Sequence, residues 1–416
     1  MKVLLSAFAC APNRGSEPGV GWNWATALAK NNQVWVVTRE ENRKEIELYR
    51  KTHEIPFEIV YFGIDFFEKN NRFPYQKNFY TMKWQDAVIP FLKKLHDKVS
   101  FDICHHITYA SYKYPTRLYE LGIPLIVGPV GGGEMTPASC KKAYSIKNQI
   151  VEAIHDLQIR MTTSKKSFYK MCEYANYLFV TTQETYDKIP LRYQYKCEIM
   201  QTIGITEEEI DSTKKLTFYE SGDTFRVLYV GNLIAWKGVG MLPDIAKKLK
   251  EKGKFLIEVV GDGAEKENII NRAREYQVEE MFSFIGKVPK NQVAYYMDNA
   301  HGMIFPSYHD SGAMVVLEAM ARKLPVIVLG TGGPAINVSE KSGIKINPNQ
   351  SYEAIVLNFV DEIVKLRDAY LYTPDVVAQM EEMAVAELSS KMTWNVKAVI
   401  MQEYYERCLK ERNKIK

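Results

Sequence analysis

FPSYHDSGAMVVLEAMARKLPVI, residues 305–327, decides the fold. A short apolar run over 303–305 stops at Pro306, a polar loop fills 307–311, and a helical pattern starts near Gly312 and runs to Lys323. The next apolar run, 325–329, completes a strand-helix-strand unit, the building block of a parallel sheet covered by helices.

Gly312 lets the backbone approach a ligand closely, and the first helical turn, around Ala313 and Met314, offers unpaired N–H groups that suit a phosphate. Glu318 follows Gly312 by six residues, about 9 Å along a helix, within reach of the ribose of the same nucleotide. Asp310 falls before the helix, near a sugar on the other side. Either acid alone also fits a plainer role, Asp310 as a helix cap and Glu318 as a solvated charge. Together they flank a glycine-led helix start, and Glu318 is embedded among Val315, Val316, Leu317, Ala319 and Met320, where a charge without a partner is costly.

Outward from this unit the chain reads as two α/β halves. Strand patterns at 3–9, 33–38, 57–62, 103–107, 125–128 and 177–181 alternate with helical ones at 21–30 and 43–52. After a polar stretch, 204–224, the pattern restarts with strands at 226–230, 256–260 and 282–285 and helices at 239–252, 266–276 and 292–299. The 416 residues therefore suit a first Rossmann-like domain over 1–203, a second over 204–393, and a helical pattern from 394 onward. Ligands of such sheets collect at the carboxyl ends of the strands.

A net charge of +4 makes no case for nucleic acid as a partner. The six cysteines are scattered without metal-ligand spacing, which reads as reduced, structural thiols and no metal site. MKVLLSAFACAP is followed at once by polar residues and reads as the first strand rather than a signal peptide. No run approaches about 18 consecutive apolar residues, so no span is expected, and the expected compartment is the cytoplasm.

VGNLIAWKG, residues 230–238, carries a strand into a turn at Gly231 and Asn232 and then to Lys237, a cation at the strand ends suited to a diphosphate, or else a solvated lysine. In the first half, APNRGSEPGVGWNW, residues 11–24, is a glycine-rich loop with neither the dinucleotide fingerprint nor the Gly-Lys-Ser/Thr of a P-loop. Gly19 and Gly21 are its candidates for backbone contact and Arg14 and Glu17 for side-chain contact; a tight turn with a helix cap is the alternative. GPVGGGE, residues 128–134, bares the backbone at Gly131 and Gly132, for a ligand or as a flexible loop. His105 and His106 end a strand and point to opposite sides of it.

These residues together resemble the GT-B-fold retaining glycosyltransferases of family 4 (glycosyl transferases group 1), whose motif is Glu, seven residues, Glu; here it is Asp310, seven residues, Glu318. The resemblance implies a GT-B fold, two Rossmann-like domains facing across a cleft with the C-terminal helix crossing back to the first. It implies that Asp310 binds the transferred hexose, with His105 or His106 beside it, that Glu318 holds the ribose, and that Lys237 and the helix start neutralise the leaving diphosphate. The family pairs that lysine with an arginine five residues earlier, where this chain has Asn232. The expected donor is a nucleotide-diphosphate sugar, as a substrate and with no cofactor, and the acceptor a saccharide or lipid-linked saccharide. No Asp-x-Asp occurs, which argues against the metal-dependent transferases of the other fold. A nucleotide-sugar 2-epimerase and a non-catalytic nucleotide-sugar-binding protein are the alternatives on the same scaffold.

Two basic, apolar segments bear on the acceptor and on peripheral contact with the inner membrane face. One spans 66–84, with Phe67, Phe73, Tyr75, Phe79, Tyr80 and Trp84 beside Lys69, Arg72, Lys77 and Lys83; the other, 141–170, carries Lys147, Arg160, Lys165 and Lys166. Each also suits a packed subdomain with a solvated face.

Overall fold

The computed structural model describes residues 1–64, 74–210 and 219–415, the side chains of 74–79 and 413–415 excepted. The chain forms two compact units. The first gathers Met1–Gly133, Leu157–Gly204 and Trp394–Lys416; the second gathers Glu134–Asp156 and Ile205–Thr393.

Among the described residues, seven parallel strands build the first unit: β1 (Lys2–Ala7), β2 (Gln33–Arg39), β3 (Glu58–Phe62), β4 (Ile103–Thr108), β5 (Leu125–Val130), β6 (Tyr177–Val180) and β7 (Cys197–Ile199), in the order β3-β2-β1-β4-β5-β6-β7. The second has six, β8 (Phe225–Val230), β9 (Phe255–Val260), β10 (Phe282–Gly286), β11 (Gly302–Phe305), β12 (Val326–Leu329) and β13 (Ile344–Ile346), ordered β10-β9-β8-β11-β12-β13. Parallel strands need crossover helices on both faces, so central strands are buried on both sides: every residue of β4, β11 and β12 is buried. In each sheet the strand order reverses once, between β1 and β4 and between β8 and β11, and the crevice for a ligand opens there, beyond the carboxyl ends.

Three sequence expectations move. The first helix spans Ser16–Ala29, because Pro18 is tolerated in a first turn, so Gly19 and Gly21 belong to the helix rather than to the loop before it. Residues 134–156 group with the second unit: Cys140 and Tyr144 join its core, and Asn148 donates to Glu265 (2.9 Å). Tyr80 and Trp84, expected at an acceptor surface, are core residues that pack edge-on against Phe8, with the Trp84 indole donating to Phe62 O (2.7 Å). Phe67, Phe73, Tyr75 and Phe79, with Lys69, Arg72 and Lys77, lie outside the described residues and side chains.

The helix Trp394–Ile415 packs within the first unit. Trp394 stands edge-on to Trp24, and Lys30 donates to Asn395 (2.6 Å). All six cysteines are buried and free. Among the described residues no helix is long and apolar enough to cross a membrane.

Candidate functional site

In the second unit the loops that follow the two strands at the reversal, β8 and β11, are locked together. Gly238 adopts the left-handed conformation (φ 69°), and a Cβ there would stand 2.0 Å from Pro306 O. Tyr308 N–H donates to Trp236 O (2.9 Å). This packing brings Lys237, from the loop after β8, into an ion pair with Asp310, from the loop after β11; both side chains are largely buried, at 15% and 13% exposure. Lys237 also lies over the Trp236 ring, 4.4 Å from its centroid.

Asp310 does two things at once. While pairing with Lys237, its Oδ1 accepts the amides of Gly312 (3.2 Å) and Ala313 (3.1 Å). The helix itself begins at Met314 and ends at Ala321, two residues later and two earlier than the sequence pattern suggests, because Ala313 is left-handed (φ 61°) and Arg322, at φ -97° and ψ 17°, is no longer helical. The amides of Gly312 and Ala313 are therefore capped from within the loop, and of the three positions read as phosphate donors Met314 is the one outside Asp310's hold. The loop's backbone is fixed from a third side. Thr331 donates to Ser307 O (2.8 Å), Gly333 N–H to Asp310 O (2.6 Å) and Asn337 to Gly312 O (2.7 Å). Gly332 (φ 53°) passes so close that a Cβ would lie 2.4 Å from Asp310 O.

Glu318 has the partner that its apolar surroundings demand. Lys290, at the start of the helix Lys290–Asn299, places its ammonium 3.3 Å from Glu318 and 3.1 Å from Glu209. Burial raises the Glu318 pKa, and Lys290 opposes that rise. Gly231 is pinned by a bond from its N–H to Val260 O (3.0 Å), whereas Asn232 is exposed and its carbonyl accepts the Tyr229 hydroxyl (3.2 Å).

Behind Asp310 stands a group that sequence reading missed. Trp236, His309 and His155 stack face to face, with centroids 5.0 Å and 4.9 Å apart. Glu152 lies 3.4 Å from His309 Nε2 and accepts the Thr136 hydroxyl (2.7 Å). Burial pushes the Glu152 carboxyl up, but His309, Thr136 and His155 outweigh it and hold the pKa at about 2, so this carboxylate is charged. Glu152, His155 and His309 also offer ligand atoms within 4.8 Å of one another. The two imidazole planes are 17° from parallel, however, and ring lone pairs lie in those planes, so as arranged they do not converge on one ion. The stack braces the segments that carry Lys237 and Asp310. A separate cavity of about 690 Å³, lined by Lys142, Asp244, Asn268, Arg272 and Tyr352 among others, contains none of the candidate residues.

The first unit's candidates also sit at a reversal, β1 against β4, but most are committed internally. His105 is fully buried, with Nδ1 against the Tyr405 hydroxyl (2.8 Å) and Nε2 against Gly128 O (2.8 Å), leaving no ring nitrogen for a hexose. His106 contacts Ser6 Oγ through Nδ1 (3.1 Å), and its buried Nε2 makes no hydrogen bond. Gly19 and Gly21 serve close packing: a Cβ would stand 2.0 Å from Arg14 O or 2.2 Å from Ala9 O. Glu17 accepts the amide of left-handed Tyr109 (3.0 Å), and Arg14 forms an exposed bidentate pair with Glu45. Gly131 spends its N–H on Ala110 O (3.2 Å) and its carbonyl on Tyr112 N–H (2.9 Å), so the ligand contact expected there is taken by the chain itself. Gly132 is left-handed (φ 98°).

Residues 213–368 match the model of the family described as Glycosyl transferases group 1. An uncharacterized glycosyltransferase of Haemophilus influenzae is 28% identical over 157 residues, 38% of this chain and 42% of that protein. The amylovoran biosynthesis glycosyltransferase AmsD of Erwinia amylovora is 32% identical over 111 residues, 26% of this chain and 31% of its own. The chain thus covers less than half the length of these curated relatives. Anabaena Alr3699/HepE, in a crystal structure with UDP and glucose, aligns over 98% of this chain and 100% of its own at a TM-score of 0.57 and 14% identity, a likeness of fold. Residues 213–368, which carry Gly231, Lys237, Asp310 and Glu318, belong to the glycosyl transferases group 1 family, on a chain with the GT-B fold.

Proposed function

We propose that the protein is a retaining hexosyltransferase that moves a sugar from a nucleotide-diphosphate sugar to a saccharide or lipid-linked saccharide, in the synthesis of cell-surface polysaccharide or glycolipid, working without a metal ion or cofactor at the cytoplasmic face of the membrane. The observation that carries the reading is the Lys237–Asp310 pair at the strand reversal, with Glu318 on the helix Met314–Ala321 that follows Asp310. An incoming diphosphate would take Lys237 from Asp310, freeing that carboxylate for sugar hydroxyls while the ammonium stabilises the leaving group. Glu318, turned from Lys290, would accept the ribose hydroxyls. AmsD's role in amylovoran biosynthesis supports the polysaccharide setting, and the UDP and glucose held by HepE support a nucleotide sugar.

Calorimetric titration with UDP-, GDP-, ADP- and TDP-sugars, on wild type and Glu318→Ala, tests this. One donor should bind and Glu318→Ala should abolish that binding; no binding to any donor would sink the reading. A sugar product released without an acceptor would point instead to a 2-epimerase, and binding without turnover to a non-catalytic protein.

A further inference from the structure

The helix Ile146–Thr162 shows water a face that soluble helices normally hide. Ile146, Ile150, Ile154, Leu157 and Met161 are 78%, 57%, 52%, 56% and 58% exposed. At 100° per residue these five positions fall within an arc of about 80°, forming one continuous apolar stripe along 17 residues, or about 25 Å. Val151, 56% exposed, widens it. A stripe of this size on a free surface marks a binding face.

The charges identify what it binds. Lys147 borders the stripe on one side and Arg160 on the other, both exposed. The helix's two acids are withdrawn: Glu152 is buried against Thr136 and His309, and Asp156 is largely buried in an ion pair with Lys141. Exposed Lys142, Lys166 and Lys170 flank the helix in sequence. A second copy of the chain laid along this face would set Lys147 and Arg160 against the same cations with no exposed carboxylate on the helix to pair them. An anionic bilayer satisfies both features, since the side chains of the stripe enter the acyl boundary while the flanking cations stay among the headgroups.

We infer that the helix Ile146–Thr162 is an in-plane membrane-docking element that holds the protein to an anionic lipid surface. It rests on the membrane setting proposed above but on no assignment of donor or acceptor, so its failure would leave the transferase chemistry standing and the calorimetric test of donor binding tells the two failures apart. The test is co-sedimentation of the full chain with vesicles of phosphatidylcholine alone and of phosphatidylcholine with phosphatidylglycerol. Wild type should bind the anionic vesicles, and less so in high salt. Ile150→Ser/Ile154→Ser/Leu157→Ser should weaken that binding by about tenfold or more with an unchanged melting temperature, because these side chains support no core. Lys147→Gln/Arg160→Gln should lose the salt-sensitive part alone. Wild type that ignores both vesicles, or a triple variant that binds like wild type, overturns the inference. So does a concentration-dependent dimer that the triple variant abolishes, which would make the face an interface between copies.

Discussion

The ammonium of Lys290 lies 3.3 Å from the carboxylate of Glu318, and that contact offsets part of the cost of a charge set among apolar residues. Burial leaves Glu318 with a pKa above its ordinary value. A carboxylate raised in the folded state contributes stability below its unfolded pKa and loses it as pH rises through the folded value. Glu318→Gln, which does not ionise, should therefore gain stability relative to wild type as pH rises from about 4 to 7 and show no advantage at the acid end. Thermal melts across that range check the sign. An advantage that grew toward acid would contradict it.

The Lys237–Asp310 pair is a self-contained neutralisation, and under the proposed reading a diphosphate would have to break it. Asp310→Asn keeps an amide oxygen for the Gly312 and Ala313 caps and frees the ammonium. Binding of the matching nucleoside diphosphate without sugar should tighten by about tenfold, while Lys237→Met should weaken it by at least as much. Calorimetry on both variants decides whether the pair competes with the ligand.

Ala313 carries a Cβ in the left-handed region at φ 61° and ψ 57°. Ala313→Gly removes that cost, and after the extra freedom glycine gives the unfolded chain it should stabilise the protein by about 1 kcal/mol in urea unfolding. A loss of stability there would mean that the Ala313 methyl, which is buried, contributes more by packing than it costs in strain.

Gly21 leaves no such latitude. Its added Cβ would meet Ala9 O at 2.2 Å and Thr108 Cγ2 at 3.1 Å, and Ala9 is itself tied by its N–H to Thr108 Oγ1 (3.0 Å). Gly21→Ala should destabilise the first unit by about 3 kcal/mol, measured as a shift of the unfolding midpoint.

Burial depresses His105 to about 3 and His106 to about 4, from an ordinary 6.5. A depressed histidine contributes stability above its unfolded pKa and loses it as pH falls toward the folded one. The protein should therefore lose stability progressively from about pH 6.5 downward to pH 4, with His106 alone contributing on the order of 3 kcal/mol of that slope. His106→Asn should flatten the slope, and pH-dependent melts read it directly.

The parallel sheets were legible because β1, β8, β11 and β12 are short apolar runs followed by polar turns, a signal that survives without context. The positions of Lys237, Asp310 and Glu318 in the loops and helix beyond β8 and β11 were legible because each sits a fixed distance from a strand end or helix start. Lys290 was not, since it reaches Glu318 from a helix 28 positions earlier and nothing in its own neighbourhood marks it. The Glu152–His309 contact joins residues 157 positions apart and left no periodic trace. Gly19 and Gly21 misled because glycine beside proline reads as a turn, whereas here the glycines let a helix lie against the backbone of residues 9–14.

The helix Trp394–Ile415 also sets an order of manufacture. Its Tyr405 hydroxyl meets His105, its Trp394 packs on Trp24, and its Lys397 donates from a fully desolvated position to Gln201 O (2.5 Å), all inside the first unit. Synthesis from the N-terminus therefore delivers the first sheet long before the helix that closes it. The second unit, drawn wholly from residues 134–393, can complete itself earlier, so on the ribosome the unit whose strands emerge first is the one that must wait.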